Sequence, residues 1–347
     1  MSMAMMDALK KVVSGSALDA AEAEACMDQL MSGSASPIQI ASLVTAMAVR
    51  GETVEEMVGF ARAMRRHALQ VENVPDGAVD TCGTGGDGAN TFNISTAAAI
   101  VAAAGGVPVA KHGNRAASSR CGSADVLAAL GARIDGNPET ARRCLQQTRL
   151  CFLFAQSFHP AMRHAAEVRR QLGFRTIFNF LGPLTNPARV RRQVLGVPRL
   201  DLVRKMAEAL KLLGCEHALV VHGAGGIDEI SIVGETAVAE VKDGRICEYT
   251  IAPEDVGLAR ADLAAIQGGD AEENARIIQE VLSGARGPKR DVVVLNAGAV
   301  LYVGGKATRL YDGVRLAEVL IDSGAARETL TAFVRATQME SAAEVQG

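Results

Sequence analysis

The run VDTCGTGGDGANTFNIST, residues 79–96, decides how the rest of the chain is interpreted. Residues 79–82 are strand-like, residues 83–88 contain four glycines in six positions, and a small-residue helical pattern begins at Ile94. Glycines in such a turn let the backbone approach a ligand closely and direct its N–H groups inward. The first turn of the following helix would present further N–H groups to an anion such as phosphate. The stretch therefore predicts a strand, an anion-binding loop and a helix.

Strand and helix patterns alternate downstream of this stretch. Helical patterns separate strand-like runs at 107–111, 150–155, 192–197 and 217–222. Such alternation is typical of a parallel sheet covered by helices. Two more strand-like runs, 237–241 and 246–251, flank Asp243-Gly244, a dipeptide that favours a β-hairpin turn.

Only helical patterns precede the strand at 79–82, and they cover residues 17–32, 37–50 and 54–67. Helical patterns return toward the other end of the chain, at 271–283, 290–303, 314–323 and 325–338. We therefore predict an α/β fold with a small helical N-terminal domain and a large α/β domain built on a central, mostly parallel sheet. The predicted domains are residues 1–75 and 76–347.

The composition excludes several classes of protein. The 347 residues carry 36 basic and 39 acidic side chains, a net charge of −3, which gives no global attraction to nucleic acid or to an anionic membrane. The seven cysteines are scattered and form no C-x-x-C pair, so neither a disulfide scaffold nor a zinc knuckle is expected. No signal-peptide pattern is seen, and the most apolar stretch, 96–110, is too short to span a bilayer. A cytoplasmic location is expected.

A second polar motif, KHGNRAASS at 111–119, follows the strand-like run 107–111. It concentrates a lysine, a histidine, an arginine, an amide and two hydroxyls in nine residues. Lys111 can act as a point charge on phosphate, and the serines can add hydrogen bonds. A solvated basic turn is the usual alternative for such a cluster, but the apolar residues 107–110 indicate a buried strand and so favour an anion pocket.

The adjacent carboxylates Asp228 and Glu229 follow the strand-like run 217–222 and a pair of glycines. Mg²⁺ prefers one or two carboxylates, with waters and phosphate oxygens completing its shell. Ligands of open α/β sheets gather at the ends of strands, so this position favours a metal site. Such pairs are also common on surfaces.

A fourth motif runs from His159 through the basic helix 160–172, in which an arginine could pair with a carboxylate substrate. From this segment alone, a plain cationic helix face is the better interpretation. The stretch 176–187, rich in Phe, Gly and Pro, is interpreted as structural. The chain has no P-loop, G-x-G-x-x-G, H-E-x-x-H or G-x-S-x-G motif, so nothing supports an ATPase, Rossmann, zinc or serine-hydrolase interpretation.

Taken together, these motifs resemble the anthranilate phosphoribosyltransferase family. The matching blocks, spread over about residues 37–310, are GTGGD at 83–87, TFNIST at 91–96, KHGNR at 111–115, GSADVL at 122–127, HPAM at 159–162, VRRQLG at 168–173, RTIFNFLGPLTNPA at 175–188 and DEIS at 228–231. The resemblance implies transfer of the phosphoribosyl group of phosphoribosyl pyrophosphate (PRPP) to anthranilate, with Mg²⁺ as cofactor. It also implies that a helical excursion near 160–190 joins the small domain, and that the protein is a homodimer.

The resemblance assigns a role to each matched residue. PRPP would be held by Gly83, Gly86, Asp87, Thr91, Asn93, Ile94, Ser95, Thr96, Lys111, His112, Gly113, Asn114, Arg115, Ala116, Ala117, Ser118, Ser119 and Ser123. Anthranilate would be held by Gly83, His112, Asn114, His159 and Arg169. Mg²⁺ would be bound by Ser95, Asp228 and Glu229, and Lys111 with the two carboxylates would carry the catalytic charge.

Two other functions compete with this one. A pyrimidine nucleoside phosphorylase would share the fold, but the resemblance places a glycine in those enzymes where Asn114 stands. A non-enzymatic nucleic-acid-binding relative would need a basic surface, which a net charge of −3 does not favour. The sequence does not decide whether a glutamine amidotransferase partner exists.

Overall fold

A computed structural model describes residues 5–116 and 120–339. It begins with four helices, α1 (Met5–Val13), α2 (Ala20–Met31), α3 (Pro37–Arg50) and α4 (Val54–His67). Reciprocal capping boxes fix where the last three begin, through Asp19 with Glu22, Ser36 with Gln39, and Thr53 with Glu56. The cap at Asp19 is why α2 begins at Ala20 and not at the predicted residue 17.

The seven strands form one sheet, as predicted from the alternating patterns. They are β1 (Val79–Gly83), β2 (Val109–Gly113), β3 (Leu150–Phe154), β4 (Arg192–Gly196), β5 (His217–Gly223), β6 (Thr236–Lys242) and β7 (Arg245–Ile251). The strand order is β3-β2-β1-β4-β5-β6-β7. The first five strands are parallel, and β6 and β7 add an antiparallel edge.

Backbone chemistry explains two details of these strands. The second strand starts at Val109 and not at the predicted residue 107, because Pro108 has no N–H to give to the ladder while Val109 N donates to Arg149 O at 2.7 Å. The hairpin turns at Asp243-Gly244 as predicted, with both residues at positive φ (50° and 70°), which matches the twist of the flanking strands.

The other helices either cover the faces of the sheet or connect it to the helical domain. They are α5 (Ile94–Ala104), α6 (Ser123–Ala129), α7 (Pro138–Thr148), α8 (Ala155–Phe158), α9 (Arg163–Leu172), α10 (Phe178–Leu184), α11 (Asp201–Leu212), α12 (Ala271–Leu282), α13 (Pro288–Val303), α14 (Leu310–Asp322) and α15 (Ala325–Gln338). No helix in the described ranges is long and apolar enough to cross a membrane.

Apolar side chains form two cores on opposite faces of the sheet. On β5, Leu219 and Val221 belong to the core shared with α5 and α13, whereas Ala218 and Val220 belong to the core shared with α11 and the helical domain. The alternation follows from the two-residue period of a strand. A small helical domain and a large α/β domain are therefore confirmed; the boundary at residue 75 remains a prediction.

After α8 the chain leaves the sheet, and α9 and α10 pack on the N-terminal helices. Ala165 and Val168 of α9, and Phe178 and Leu181 of α10, lie in the same core as the side chains of α1 to α4. The predicted single helix 160–172 is in fact a 3₁₀ turn at Pro160–Met162 followed by α9. The stretch 176–187, for which the sequence predicts no helix, contains α10, which tolerates Pro183 in a seven-residue helix.

Candidate active site

The candidate site lies where β1 and β4 end side by side. The chain runs from β1 outward to β2 and β3, then returns to place β4 on the other side of β1. Such a reversal opens a crevice at the carboxyl ends of the two strands, where open α/β sheets bind ligands. The last residues of the two strands, Gly83 and Gly196, are paired in register.

Neither of these glycines leaves room for a side chain. A Cβ on Gly83 would lie 2.0 Å from Asp228 Oδ2, and a Cβ on Gly196 would lie 1.6 Å from the carbonyl oxygen of Asp228. The loop after β5 therefore crosses directly over the ends of β1 and β4. This crossing carries the predicted Asp228-Glu229 pair into the crevice.

Asp228 is tied to the glycine-rich loop after β1. Its Oδ2 accepts the N–H of Gly85 at 2.7 Å, and its own N–H donates to Asp87 Oδ2 at 3.3 Å. Asp87 Oδ1 accepts the N–H of Ala89 at 3.1 Å, which closes the loop on itself. Burial and the neighbouring Asp87 carboxylate raise the pKa of Asp228, as expected for two like charges in a poorly hydrated site.

Glu229 contacts the first turn of α5. Its Oε1 accepts the N–H of Ser95 at 3.0 Å, and Lys111 Nζ lies 3.3 Å from Ser95 Oγ and 2.5 Å from Thr81 O. Burial and Asp228 raise the pKa of Glu229, while Lys111 opposes the shift. The fold thus brings Lys111, Ser95, Asp228 and Glu229 to one place from separate segments.

The donor set suits Mg²⁺ better than a transition metal. Within residues 5–116 and 120–339, no three His, Cys, Asp or Glu side chains are grouped to hold an ion by themselves. No basic residue of these ranges forms an ion pair with Asp228 or Glu229. Two unpaired carboxylates and a hydroxyl leave coordination positions for waters and phosphate oxygens, as Mg²⁺ sites typically do.

The loop after β2 is held by a residue outside the predicted site. Asp125 of α6 pairs with Arg115 at 2.9 Å and accepts the backbone N–H groups of Ala116 and Gly122, each at 2.9 Å. Asn114 is exposed, and its carbonyl accepts the N–H of Ala124 at 3.1 Å. The predicted PRPP residues Ala117, Ser118 and Ser119 lie outside the described residues.

The start of α5 is held by a second unpredicted residue, Asn274 of α12. Asn274 Nδ2 donates to Asn93 Oδ1 at 3.0 Å, and Asn93 Nδ2 donates to Cys121 O at 3.2 Å. The side chains of Ile94 and Thr96 point into the protein, with 0% and 1% of their surface exposed. The side chains of these two predicted PRPP residues are therefore not on the surface of the crevice, and their N–H groups donate to Phe92 O and Asn93 O.

His112 and His159 form a buried pair beside this crevice, with ring centroids 5.1 Å apart. His112 Nδ1 lies 3.0 Å from Gly182 O, and neither Nε2 atom has a hydrogen-bond partner. Arg169, on the exposed face of α9, places its guanidinium 5.3 Å from the ring centre of Phe178. The excursion thus supplies Arg169 and His159, while β2 supplies His112.

Asn186, from the stretch interpreted as structural, braces β1 and β2. Its Nδ2 donates to Asp80 Oδ2 and to Ala110 O, both at 2.8 Å, and Asp80 Oδ1 accepts the N–H of His112 at 3.1 Å. Asn296 of α13 holds the loop that carries Asp228 and Glu229. It accepts a hydrogen bond from Ile230 N at 3.0 Å and donates one to Ile230 O at 2.9 Å. Sequence motifs gave no sign of either contact.

Comparison with known proteins places the chain among sugar-transferring enzymes. Residues 6–68 match the helical bundle domain, and residues 75–327 the a/b domain, of the glycosyl transferase family. The chain is 57% identical to the anthranilate phosphoribosyltransferase of Rubrobacter xylanophilus over 335 residues, 96% of this chain and 98% of that one.

Solved structures agree with this relationship. The anthranilate phosphoribosyltransferase of Thermus thermophilus is 48% identical, with a TM-score of 0.91, over 96% of this chain and 100% of that one. The Saccharomyces cerevisiae enzyme in complex with PRPP and Mg is 30% identical, with a TM-score of 0.88, over 96% of this chain and 97% of that one.

Proposed function

The chain belongs to the anthranilate phosphoribosyltransferase family, and from that premise we propose which of its residues perform the reaction. The enzyme transfers the phosphoribosyl group of PRPP to the amine of anthranilate, giving N-(5-phosphoribosyl)anthranilate and pyrophosphate, in tryptophan biosynthesis. The observation that carries the assignment of residues is the crossing of the Asp228-Glu229 loop over Gly83 and Gly196.

PRPP binds along the glycine-rich loop and the first turn of α5. Gly83, Gly86, Asp87 and Thr91 shape the loop, and the positive end of the α5 helix dipole lies on the side of the phosphates. Residues 111–116 and Ser123 form the other wall, where Asp125 holds Arg115 in place. The two carboxylates and Ser95 hold Mg²⁺, which when bound neutralises part of the charge on the pyrophosphate.

The reaction makes a bond between the amine nitrogen and C1 of the ribose while the bond from C1 to pyrophosphate breaks, and the nitrogen loses a proton. Negative charge therefore develops on the leaving group. Lys111, whose side chain is 3% exposed and lies 3.3 Å from Ser95 Oγ, adds a fixed positive charge on that side. An aromatic amine is nucleophilic when neutral, so positioning and electrostatics carry the step without a dedicated base.

Anthranilate binds between the helical excursion and the end of β2. Arg169 meets its carboxylate, Asn114 and Gly83 lie at its amine end, and His112 and His159 line its path. Burial lowers the pKa of His112 to about 3 and that of His159 to about 4. Both rings therefore present neutral walls to the aromatic substrate.

The protein is further proposed to be a cytoplasmic homodimer. All seven cysteines fall within the described ranges and all are free thiols, which suits a reducing compartment. The helical domain carries exposed apolar side chains on α1 and α3, including Ile38 and Val49, which are 79% and 85% exposed. A second copy would cover this face.

The test follows anthranilate fluorescence with purified protein, PRPP and Mg²⁺, omitting each component in turn. Loss of signal that needs all three is the expected result. Asp228→Asn and Glu229→Gln should each lower kcat by about 10²-fold, because each removes a charge that holds the metal. Asp243→Asn, in the distant hairpin turn, is the matched control and should leave kcat unchanged. No loss of signal from a folded protein, or phosphate-dependent cleavage of pyrimidine nucleosides, would refute the assignment.

A further inference from the structure

Arg175 stands in the short connection between α9 and α10, a segment not assigned to the PRPP site above. The neighbouring side chains Ile177, Phe178 and Phe180 are buried in the core of the helical domain, so this connection is anchored in that domain. The Arg175 guanidinium nevertheless reaches the glycine-rich loop that follows β1 in the α/β domain. It is thus a contact between the two domains at the edge of the site.

The guanidinium is packed closely on the loop backbone. Arg175 Nη1 donates to Gly85 O at 2.7 Å, and the central carbon of the group lies 5.8 Å from the ring centre of Phe180. Gly85 and Gly86 have φ values of +67° and +77°, a conformation that favours glycine. A Cβ on Gly86 would meet Arg175 Nη1 at 1.6 Å, so the arginine occupies the space that a side chain would need.

One nitrogen of the guanidinium makes no hydrogen bond to the part of the protein that the structure describes. Arg175 Nη2 is buried and has no hydrogen-bond partner, and Arg175 forms no ion pair with the residues that the structure describes. Burial lowers the pKa of Arg175, while Asp228 and Asp87 oppose that shift, which locates the positive charge near both carboxylates. An unsatisfied charged donor in such a place favours an anionic ligand, because leaving it unpaired is costly.

We propose that Arg175 is a further PRPP-binding residue, supplied by the helical domain, which clamps Gly85 through Nη1 and donates to a pyrophosphate oxygen through Nη2. The two N–H directions of a guanidinium are fixed relative to each other, so one side chain can hold the loop and the ligand at once. This proposal rests on the proposed function, since it names a residue for the PRPP site of that enzyme.

The first experiment compares Arg175→Ala, Arg175→Lys and Arg170→Ala. Arg170 lies on α9, pairs with Glu167 and points to solvent, so it is a matched control for the loss of one arginine. Arg175→Ala should raise the KM for PRPP about tenfold or more and change the KM for anthranilate less than about twofold, as expected when one charge-assisted hydrogen bond to a single substrate is lost. Arg175→Lys should restore the KM for PRPP only in part, because one ammonium cannot donate to Gly85 O and to a pyrophosphate oxygen with the fixed geometry of a guanidinium. Arg170→Ala should behave as wild type.

Two readouts separate this role from a general loss of structure. Guanidinium ion at tens of millimolar should partly restore the KM for PRPP in Arg175→Ala and have no such effect in Arg170→Ala. Hydrogen exchange of the ligand-free protein should be faster at residues 83–88 in Arg175→Ala, with exchange in α13 and α15 unchanged. An unchanged KM for PRPP, or equal rises in both KM values with a lower melting temperature, would overturn the proposal. Absence of activity in the wild type would instead refute the function itself.

A double variant supplies a second test. The three atoms nearest to a Cβ on Gly86 all belong to Arg175, so Gly86→Ala should displace that side chain. When the two changes are combined, the KM for PRPP should therefore rise by less than the product of the fold-changes that Gly86→Ala and Arg175→Ala cause separately. Strict multiplication of the two effects would show that Arg175 and the loop act independently, contrary to the proposal.

Discussion

A single hydrogen bond fixes the tautomer of His112. The carbonyl of Gly182, 3.0 Å from His112 Nδ1, can only accept, so Nδ1 carries the proton and the buried Nε2 is left as a bare lone pair. His159 also has a buried Nε2 without a partner. The pair therefore presents no positive charge to a ligand beside the rings.

We expect both rings to stay neutral at about pH 5.5. Burial is the main cause that lowers the pKa values to about 3 for His112 and about 4 for His159, so the folded state binds fewer protons than the unfolded chain above these values. The pair therefore costs the fold no stability above about pH 6.5, and stability falls progressively as the pH drops from there to about 3, because the unfolded chain takes up the protons first. Imidazole ¹⁵N spectra, assigned with His112→Gln and His159→Gln, would check this; an imidazolium signal from either ring at that pH would contradict it.

Arg169 and Arg170 are neighbours with different partners, which makes them a useful pair. Arg170 is bound to Glu167, whereas Arg169 lies over Phe178 at the proposed anthranilate site. Arg169→Ala should raise the KM for anthranilate about tenfold or more, the loss expected for one charge-assisted hydrogen bond. The KM for PRPP should stay within about twofold, and steady-state kinetics of both substrates would measure the split. Equal losses for both substrates would rule out the assignment.

Sequence motifs located the residues that meet in the candidate site better than the residues that hold them in place. Lys111, Ser95, Asp228 and Glu229 stand in recognisable blocks and meet in the structure. Asn274 reaches Asn93 across 181 positions of the chain, and Asn296 reaches Ile230 across 66. Each is an ordinary helix residue locally, so only the folded arrangement of the helices shows what it binds.

Among the helices, local sequence signals predict the ends well where a capping residue or a glycine stands at the boundary. α3, α4 and α15 have the predicted bounds, and α5 begins at the predicted residue. α7 was overlooked although Asn137 caps it and Pro138 occupies its first turn. α10 was overlooked for a different reason: its glycine and proline oppose a helix, and burial of Phe178, Phe180 and Leu181 against the N-terminal helices outweighs that local preference.

The end of β4 offers a prediction at this scale. Gly196→Ala would place a methyl group 1.6 Å from the backbone oxygen of Asp228, so the loop that carries Asp228 and Glu229 must move. A displacement of about 1 Å in such a site can cost about 10²-fold in kcat/KM, which we expect for PRPP at fixed Mg²⁺. Gly244→Ala is the control, because it strains the hairpin turn at φ +70° far from the site and should lower stability without changing kcat/KM. Wild-type kinetics for Gly196→Ala would contradict the described crossing.

At the scale of the whole molecule, the exposed apolar face of the helical domain predicts the oligomeric state. Val49→Glu would place a charge in that face, at a side chain 85% exposed. We expect light scattering to show a dimer for the wild type and a monomer for this variant, because burying an unpaired charge in an interface is costly. Val319→Glu, on α14 and 61% exposed, is the control and should remain dimeric. A monomeric wild type would refute the dimer.

The helical domain is built from two stretches of chain that are synthesised at different times. The side chains of α1 to α4 share their core with those of α9 and α10, and the last of these helices ends at Leu184. A growing chain therefore exposes Leu43, Met47 and Met57 on the ribosome until roughly a hundred further residues have been added, on the order of ten seconds at ordinary rates of translation. Unlike domains that fold in order as they emerge, this bundle is completed only after part of the sheet has been synthesised, and we expect its nascent apolar surface to bind chaperones.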